Sequence, residues 1–224
     1  MNVSVADVAD AILQLPRGSL VLDCGCFGWR LAKACASSHQ RLIGLDRFEP
    51  PGRPVEASFA RMDGPHIDLP DDTGDLVVAS HIIEHISDAV AFFSELVRVT
   101  VPGGLVWVEA PSELSVLSRS SDDPTDHAFH CFFDDPTRVR PHTPGSFYRL
   151  AITTQCQPMG IGRAQTGDIP VVRMLARKPL NVRGRPATTY VSLLGVPPGL
   201  EAAWRAMWPQ PIADARIREL RESQ

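Results

Sequence analysis

The stretch VLDCGCFGWRLAK, residues 21–33, joins an apolar run to a glycine-containing turn and then to a segment compatible with a helix. Asp23 ends the apolar run, and Gly25 and Gly28 follow it. A buried strand that turns sharply into a helix presents backbone N–H groups and the positive end of the helix dipole at the carboxyl edge of a sheet. Glycines let a ligand approach such a backbone closely. The stretch therefore predicts a ligand site at a strand-to-helix turn.

Patterns typical of strands and helices alternate on both sides of this turn. Short apolar runs predict strands at 20–22, 41–45, 58–62, 75–79 and 105–109, and a closing pair at 159–164 and 171–177. Apolar residues at helical spacing predict helices at 3–15, from the glycine turn to about residue 37, at 82–100 and at 146–156. The proline-rich segment 48–54 is predicted to be a loop. This alternation predicts an α/β fold with a parallel sheet covered on both faces.

Composition excludes several classes of protein. The chain has 224 residues, 44% of them hydrophobic, and a net charge of -4, which argues against general nucleic-acid binding. No apolar run approaches the ~20 residues of a membrane span, and no charged-then-apolar leader opens the sequence. The five cysteines are odd in number and lack paired metal spacing, which predicts reduced thiols and a cytoplasmic location.

Two acidic residues indicate which ligand the turn binds. Asp46 ends the second predicted strand 21 residues after Gly25, near the spacing at which an acid binds ribose hydroxyls in nucleotide-binding sheets. Asp23 stands where dinucleotide-binding folds carry their first glycine. A carboxylate there repels a pyrophosphate but attracts an ammonium or sulfonium group. The turn therefore predicts S-adenosylmethionine (SAM) in preference to NAD.

Five segments in order resemble the motifs of the class I SAM-dependent methyltransferases: VLDCGC, GLDR, RMDG, DLVVASHIIEHI and VTVPGGLVWVEAPS. The resemblance implies a doubly wound Rossmann-like sheet, mostly parallel with a closing antiparallel strand, in a domain over residues 1–180. It also implies a SAM site built from residues that follow the first four strands: Asp23, Gly25, Cys26, Gly28, Asp46, Arg47, Asp63, Ser80 and His81. The first four line the methionine end, the next three hold the ribose and adenine, and the last two lie near the methyl group.

One departure from the family pattern keeps two other functions open. The first motif of the family usually has glycines where this chain has Phe27 and Trp29. A non-catalytic copy of the fold that acts as an interaction or regulatory subunit is therefore one alternative. A nicotinamide-dependent oxidoreductase is the other, and Asp23 argues against it.

His81, Glu84 and His85 are the candidate catalytic residues. Their spacing of i, i+3 and i+4 places them on one face of the helix predicted at 82–100, beside the transferable methyl group. Either histidine could act as a general base on an acceptor hydroxyl. Alternatively, Glu84 and His85 could bind a divalent metal together with His127 or His130, or the three residues could pair only with nearby backbone. A metal is possible but not favoured.

Residues 112–145 are irregular and rich in Ser, Asp, Pro and His, which predicts a lid over an acceptor. Within them, CFFDDPTRVRPHTP resembles a segment of methyltransferases of polysaccharide and glycolipid biosynthesis. His130, Phe133, Arg138 and Arg140 are the predicted acceptor contacts, unless the arginines only pair with aspartates of the lid. The predicted reaction is O-methylation of a sugar or sugar-linked small molecule.

The C-terminal residues 181–224 are predicted to form an extension. Apolar residues at helical spacing within it indicate a stripe that packs on the core or on a second subunit. The chain is therefore predicted to be a monomer or a homodimer, with a small-molecule or glycan acceptor as its partner.

Overall fold

The computed structural model describes residues 7–118 and 131–185, in which an eight-stranded sheet is flanked by four α-helices. The strands are β1 (Leu20–Cys24), β2 (Arg41–Asp46), β3 (Ala57–Asp63), β4 (His66–Ile67), β5 (Gly74–Ser80), β6 (Thr100–Pro111), β7 (Gln157–Thr166) and β8 (Ile169–Arg177). The helices are α1 (Val8–Leu13), α2 (Ala32–Ser37), α3 (Ala89–Val99) and α4 (Pro144–Thr153). Short 3-10 turns lie at Phe27–Trp29, Ile83–His85, Glu113–Leu117 and Phe132–Asp134.

The strand order is β4-β3-β2-β1-β5-β6-β8-β7. Strands β3, β2, β1, β5 and β6 are parallel, β8 runs antiparallel to β6, and β7 runs antiparallel to β8. Because the order reverses on either side of β1, the carboxyl ends of β1 and β5 border the crevice in which doubly wound sheets bind ligands. The predicted fold class, a mostly parallel Rossmann-like sheet with a closing antiparallel strand, is confirmed.

The sheet is buried on both faces, which is why β1 reads as a continuous apolar run up to its acid. One core cluster packs Phe92 and Phe93 of α3 and Phe147 of α4 against the sheet. The other packs Ile12 of α1 and Cys35 of α2 against the opposite face. The two clusters fix the strands, and therefore the positions of the loops that follow their carboxyl ends.

The prediction of a continuous helix over 82–100 is wrong at its start. Ile83–His85 is a 3-10 turn, Ile86 is extended, and α3 begins only after Asp88, whose carboxylate accepts a hydrogen bond of 2.9 Å from the backbone N–H of Ala91. That cap makes Asp88 the helix start. At the other end α3 stops at Val99, one residue before the predicted end, and β6 begins at Thr100, ahead of the strand predicted at 105–109.

Residues 181–185, the first part of the predicted C-terminal extension, are tied to the amino ends of the parallel strands. The fully buried Lys178 donates hydrogen bonds to Asp72 Oδ1 (2.6 Å) and to the carbonyl of Gly184 (3.1 Å). Arg185 pairs with Glu95 at 3.0 Å. These contacts lie at the edge of the sheet opposite the carboxyl ends, and residues 186–224 of the extension lie outside the described residues.

Candidate functional site

A cavity of about 810 Å³ opens at the carboxyl ends of β1, β5 and β6. This volume lies within the range of small-molecule sites in proteins. Among the predicted site residues, those that line it are Asp23, Gly25, Ser80, His81, Glu84, His85 and Arg138. The structure therefore gathers two of the four methionine-end residues, the candidate catalytic residues and one candidate acceptor residue around a single cavity.

Asp23 places a carboxylate without a partner in this cavity. It lies near the end of β1, its exposed fraction is 5%, and no described group donates a hydrogen bond to its side chain. Burial is the main cause that raises the pKa of Asp23 to about 7, with the charge of Asp46 adding to it and that of Arg30 opposing it. A buried carboxylate without a donor favours a cationic ligand. The ammonium and sulfonium groups of SAM fit this requirement.

Gly25 forms the turn after β1 with φ of +80°, a conformation that favours glycine. A side chain there would meet Ile82, whose Cβ lies 3.4 Å from the position of an added Cβ. The N–H groups of Gly25 and Cys26 both donate to the carbonyl of Leu45, at 2.8 and 3.2 Å. The expectation of free N–H groups at this turn is therefore wrong for these two.

Cys26 and Gly28 do not line the cavity, although both were predicted at the methionine end of SAM. Cys26 is buried on the opposite side of the turn, where its Sγ would lie 2.7 Å from a Cβ added to Gly44. Gly28 has φ of +73° within the 3-10 turn, where it provides the bend. Both residues shape the turn from outside the cavity.

The bulky residues of the first motif are accommodated without filling the site. Trp29 is buried against Gly44 of β2, which has no side chain to obstruct the indole ring. The indole Nε1–H donates to the carbonyl of Pro50 at 3.3 Å. Phe27 lies at the cavity rim and is 71% exposed. The departure from the family pattern therefore places one aromatic ring in the core and the other at the entrance.

Asp46, Arg47 and Asp63 lie together at the carboxyl ends of β2 and β3, outside the lining of the cavity. The carboxylate of Asp46 accepts a hydrogen bond of 2.7 Å from the backbone N–H of Arg47. The guanidinium of Arg47 pairs with Asp63 at 3.2 Å. Since the charge of Asp46 contributes to the raised pKa of Asp23, this group adjoins the cavity at the end predicted for ribose and adenine.

His81 lies between two buried carboxylates in the loop after β5. Its Nε2 is 3.1 Å from Glu109 Oε1, and its Nδ1 is 3.5 Å from Glu84 Oε1. Burial alone lowers the pKa of an imidazole, but the hydrogen bonds and charges of Glu109 and Glu84 outweigh it and raise the pKa of His81 to about 9. An imidazolium at neutral pH has no free nitrogen to accept a proton. The hypothesis that His81 is the general base does not fit this geometry.

Glu84 and His85 lie on the 3-10 turn after His81, so the three candidate catalytic residues do not share a helix face. Glu84 is fully buried, and its Oε1 is 3.9 Å from His85 Nε2. The other ring nitrogen of His85, Nδ1, is 2.9 Å from the hydroxyl of Thr137. His85 is therefore held from both sides and lines the cavity.

Residues 131–142, which we name the strap, cross directly over this turn. The backbone N–H of Val139 donates to the carbonyl of Glu84 at 2.7 Å. Arg140 Nη2 donates to the carbonyl of Ser87, and the backbone N–H of His142 donates to that of Pro111 at 3.0 Å. The part of the predicted lid that the structure describes is thus bound to the loop that carries the candidate catalytic residues.

The predicted acceptor contacts have different outcomes. Arg138 lines the main cavity, but its guanidinium also donates to the carbonyls of Cys131 and Phe132, at 3.2 and 3.3 Å. Arg140 lines a separate cavity beside the start of α3. Phe133 is exposed and does not line the main cavity, and His130 lies outside the described residues. The two arginines therefore do not face one acceptor site.

A metal site is not formed by the described residues. Within 7–118 and 131–185, no group of three or more His, Cys, Asp and Glu side chains is placed to hold a metal ion. The third ligands considered for Glu84 and His85 were His127 and His130, which lie outside those ranges. In the same ranges, no helix combines the length and the apolar character needed to cross a bilayer.

Sequence reasoning missed Glu109 and Arg173, which form the centre of a buried network. Glu109 Oε1 contacts His81, and its Oε2 accepts hydrogen bonds from Arg173 Nε and, at 2.9 Å, from Thr166. Glu109 and Arg173 stand directly opposite each other on β6 and β8. The acid that ends the run LVWVE was the available signal, since a carboxylate so placed in an apolar strand needs a partner.

Comparisons with known proteins agree with this fold. Residues 22–108 match the family model described as a methyltransferase domain. A protein of Mycolicibacterium smegmatis, named as a probable S-adenosylmethionine-dependent methyltransferase, is 36% identical over 118 residues, which are 50% of this chain and 45% of that protein. The ubiquinone biosynthesis O-methyltransferase of Rhizobium etli is 27% identical over 101 residues, 41% of this chain and 40% of the enzyme. The matched part of the chain thus spans less than half the length of each relative.

Solved structures extend the agreement in fold. The 1,6-didemethyltoxoflavin-N1-methyltransferase of Burkholderia thailandensis, solved with S-adenosylhomocysteine (SAH), superimposes with a TM-score of 0.58 and 20% identity. The alignment covers 77% of both chains. At this identity the likeness concerns the fold alone. Taken with the family match, it supports a methyltransferase domain over residues 22–108, and the prediction of SAM as the cofactor agrees with that match.

Proposed function

We propose that this chain is a SAM-dependent methyltransferase that methylates a hydroxyl group of a sugar or sugar-linked small molecule. The observation that carries the proposal is the shared cavity, which places the unpartnered carboxylate of Asp23 and the imidazole of His85 around one space. The first group suits a cationic cofactor, and the second suits a neutral acceptor that must lose a proton.

The residues of the cavity divide the work between binding and proton transfer. Asp23 holds the cationic end of SAM, and Gly25 lets the ligand approach the backbone of the turn. SAM supplies an electrophilic methyl group. His85 accepts the proton of the acceptor hydroxyl, while the fixed pair of His81 and Glu109 keeps the loop after β5 in place. Alignment of the two reactants in a dry cavity supplies most of the rate.

The strap supports a sugar-linked acceptor. Its sequence resembles that of polysaccharide and glycolipid methyltransferases, and Arg138 and Asp135 bring polar groups to the cavity wall. Alternating donors and acceptors of this kind suit an acceptor rich in hydroxyl groups. The five cysteines are free thiols, which fits the proposed cytoplasmic location. Whether the protein is a monomer or a homodimer stays a prediction.

The two alternative functions have less support from the site. The non-catalytic alternative depended on Phe27 and Trp29, and Trp29 is buried beneath β2 while Phe27 lies at the rim. Neither ring closes the cavity. The oxidoreductase alternative requires a pyrophosphate beside the turn, where Asp23 places a carboxylate and the N–H groups of Gly25 and Cys26 are already used by Leu45.

Titration calorimetry with SAM, SAH and NADH tests the cofactor. We expect SAM and SAH to bind and NADH not to bind. Asp68→Asn is a matched control for Asp23→Asn, because Asp68 is an exposed acid. Binding of NADH in preference to SAM would contradict the proposal, and so would equal SAM affinities of the two variants.

Single-turnover methyl transfer from SAM to a panel of methyl glycosides tests the reaction. His85→Ala should lower the rate by roughly 10²–10⁴ and leave SAM affinity unchanged, because a positioned base contributes about that factor. A chelator should have no effect on the unmodified protein. Loss of activity on chelation, with recovery on addition of a divalent ion, would favour the metal hypothesis for Glu84 and His85. SAM binding without methyl transfer to any glycoside would contradict the acceptor class.

A further inference from the structure

The strap contributes a chain of two hydrogen bonds that ends on the candidate base. Thr137 Oγ1 is 2.9 Å from His85 Nδ1 and 2.5 Å from Asp135 Oδ1. The backbone N–H of Thr137 also donates to Asp135 Oδ1, at 2.9 Å. Asp135 and Thr137 therefore form a closed local turn in which the carboxylate fixes the position of the hydroxyl.

The number of available protons decides the direction of each bond. Burial raises the pKa of Asp135, but the hydrogen bonds from Thr137, followed by the charges of His85 and of Arg138, whose Nε is 3.8 Å from Asp135 Oδ2, outweigh burial and lower that pKa. An ionised carboxylate only accepts, so the single hydroxyl proton of Thr137 points to Asp135. The oxygen of Thr137 must then accept, and its donor is the Nδ1–H of His85.

We propose that Thr137 and Asp135 are positioning residues that hold His85 with its proton on Nδ1 and a free lone pair on Nε2. This inference rests on the proposed function, because it concerns how His85 acts as the base. Orientation of a histidine through a hydrogen bond to its other nitrogen is a general device in protein sites. Here the orienting group comes from the strap, about fifty residues later in the sequence.

The geometry accounts for the complete proton balance of the transfer. The acceptor oxygen forms a bond to the methyl carbon while the carbon–sulfur bond breaks and its electron pair stays on sulfur. The hydroxyl proton passes to His85 Nε2, which leaves an imidazolium. Glu84 Oε1, 3.9 Å from that nitrogen and fully buried, stabilises the new charge. The class of acceptor is therefore a neutral alcohol that arrives with its proton.

The Thr137 contact is not needed to dock the strap. Val139 and His142 bind the core through their backbone N–H groups, and Arg140 binds it through its guanidinium, all independently of the hydroxyl of Thr137. Thr137 is also exposed, so its replacement by a residue of the same shape leaves no buried cavity. Removal of the hydroxyl should thus change His85 and leave the fold intact, which separates a positioning role from a structural one.

Nitrogen NMR of the imidazole rings tests the inference in the full-length protein, with the His85 signals assigned from their loss in His85→Asn. We expect the Nδ1–H tautomer in the unmodified protein. Thr137→Val, which keeps the shape and removes the hydroxyl, should shift the population toward Nε2–H by at least several-fold, and Thr137→Ser should restore the original tautomer. Thr73→Val is the control, because the Thr73 hydroxyl makes a 2.7 Å hydrogen bond to Pro70 far from the cavity.

Three results would overturn the positioning role: an Nε2–H tautomer in the unmodified protein, no change in Thr137→Val, or no rescue by Thr137→Ser. Calorimetry with SAM on the same samples distinguishes this failure from failure of the proposed function. If the protein binds SAM but His85 carries its proton on Nε2, only the positioning role of Thr137 and Asp135 is contradicted. If the protein does not bind SAM, the proposed function itself is contradicted, and the tautomer of His85 then has no role in methyl transfer.

Discussion

Asp23 near the end of β1 and Glu109 on β6 are two of the carboxylates that line the cavity, and of these two only Glu109 has hydrogen-bond partners among the described residues. Asp23 is buried without a described hydrogen-bond donor, and its pKa is raised to about 7. Glu109 is equally buried, but His81 and Arg173 outweigh its burial and lower its pKa. The two acids thus have opposite electrostatic surroundings.

The difference shows where a ligand is needed. Glu109 is neutralised by groups of the chain itself, so its network is complete before anything binds. The charge of Arg30 offsets only part of the desolvation penalty of Asp23, and no described cation hydrogen-bonds to its carboxylate, so an external cation can offset the rest. We therefore propose that Glu109 organises the site and that Asp23 recognises the ligand. Four substitution or pH experiments test this division.

The largest effect is expected for Glu109→Gln. The change leaves the buried charges of His81 and Arg173 without their common partner, and removal of one member of a buried ion pair costs about 3–5 kcal/mol. The free energy of unfolding, measured by urea titration at pH 7, should fall by that amount. Glu113→Gln is the control, since Glu113 pairs with an Arg163 that is half exposed, and it should cost less than about 1 kcal/mol. Equal losses in both variants would contradict the central role of Glu109.

Asp23→Asn should have the opposite effect and raise the free energy of unfolding of the ligand-free protein. Because the folded-state pKa of about 7 exceeds the ordinary value of 3.8, the stability that Asp23 contributes is complete below pH 3.8 and is lost as the pH rises through 7. At pH 8 the asparagine variant should be more stable by about 2–4 kcal/mol, and the gain should shrink as the pH falls toward 4. A destabilised variant at pH 8, with Asp68→Asn unchanged, would show that Asp23 has a partner in the free protein.

Asp46→Ala should weaken SAM binding by about 1.5–3 kcal/mol, the cost of losing charge-assisted hydrogen bonds to ribose. Among the described residues, only the backbone N–H of Arg47 donates a hydrogen bond to its carboxylate, so the carboxylate retains capacity for ribose hydroxyls. Titration calorimetry measures the effect, and circular dichroism checks the fold. Unchanged SAM affinity would show that the ribose does not bind at the end of β2.

The fold could be predicted from the sequence because each strand carries its own apolar run. The start of α3 could not, since the turn at Ile83–His85 is held by the strap, whose Val139 N–H binds Glu84 at 2.7 Å. Helical periodicity in the sequence contains no information about such a contact between distant segments. The helix face predicted for His81, Glu84 and His85 was wrong for that reason.

The candidate site divides in the same way. Asp23 and Gly25 could be predicted because a glycine turn after a strand has a local signature. The Glu109–Arg173 pair depends on the register of β6 and β8, and the Thr137–His85 contact depends on the path of the strap. Both join residues more than fifty positions apart. The local sequence pattern therefore identified Asp23 and Gly25, which we propose bind the ligand, and missed the contacts of Glu109 and Thr137, which we propose organise the cavity.

The smallest predicted effect is the pH dependence of SAM affinity, which tests the unpartnered state of Asp23 directly. Below pH 7 the carboxyl is increasingly protonated and must lose its proton to pair with the ammonium group, so affinity should fall up to about tenfold per pH unit between 7 and 5.5. The amino group of SAM stays charged in this range. His81, with a pKa of about 9, stays charged too, so neither contributes.

Calorimetry in two buffers of different ionisation enthalpy measures both the affinity and the number of protons released. At pH 6 the unmodified protein should release close to one proton on binding SAM, whereas Asp23→Asn should release none and bind SAM weakly at every pH in the range. If affinity were independent of pH while Asp23→Asn still lost binding, Asp23 would be ionised in the free protein. Asp23 and Glu109 would then both be ionised in the free protein, and they would differ only in their positions in the cavity.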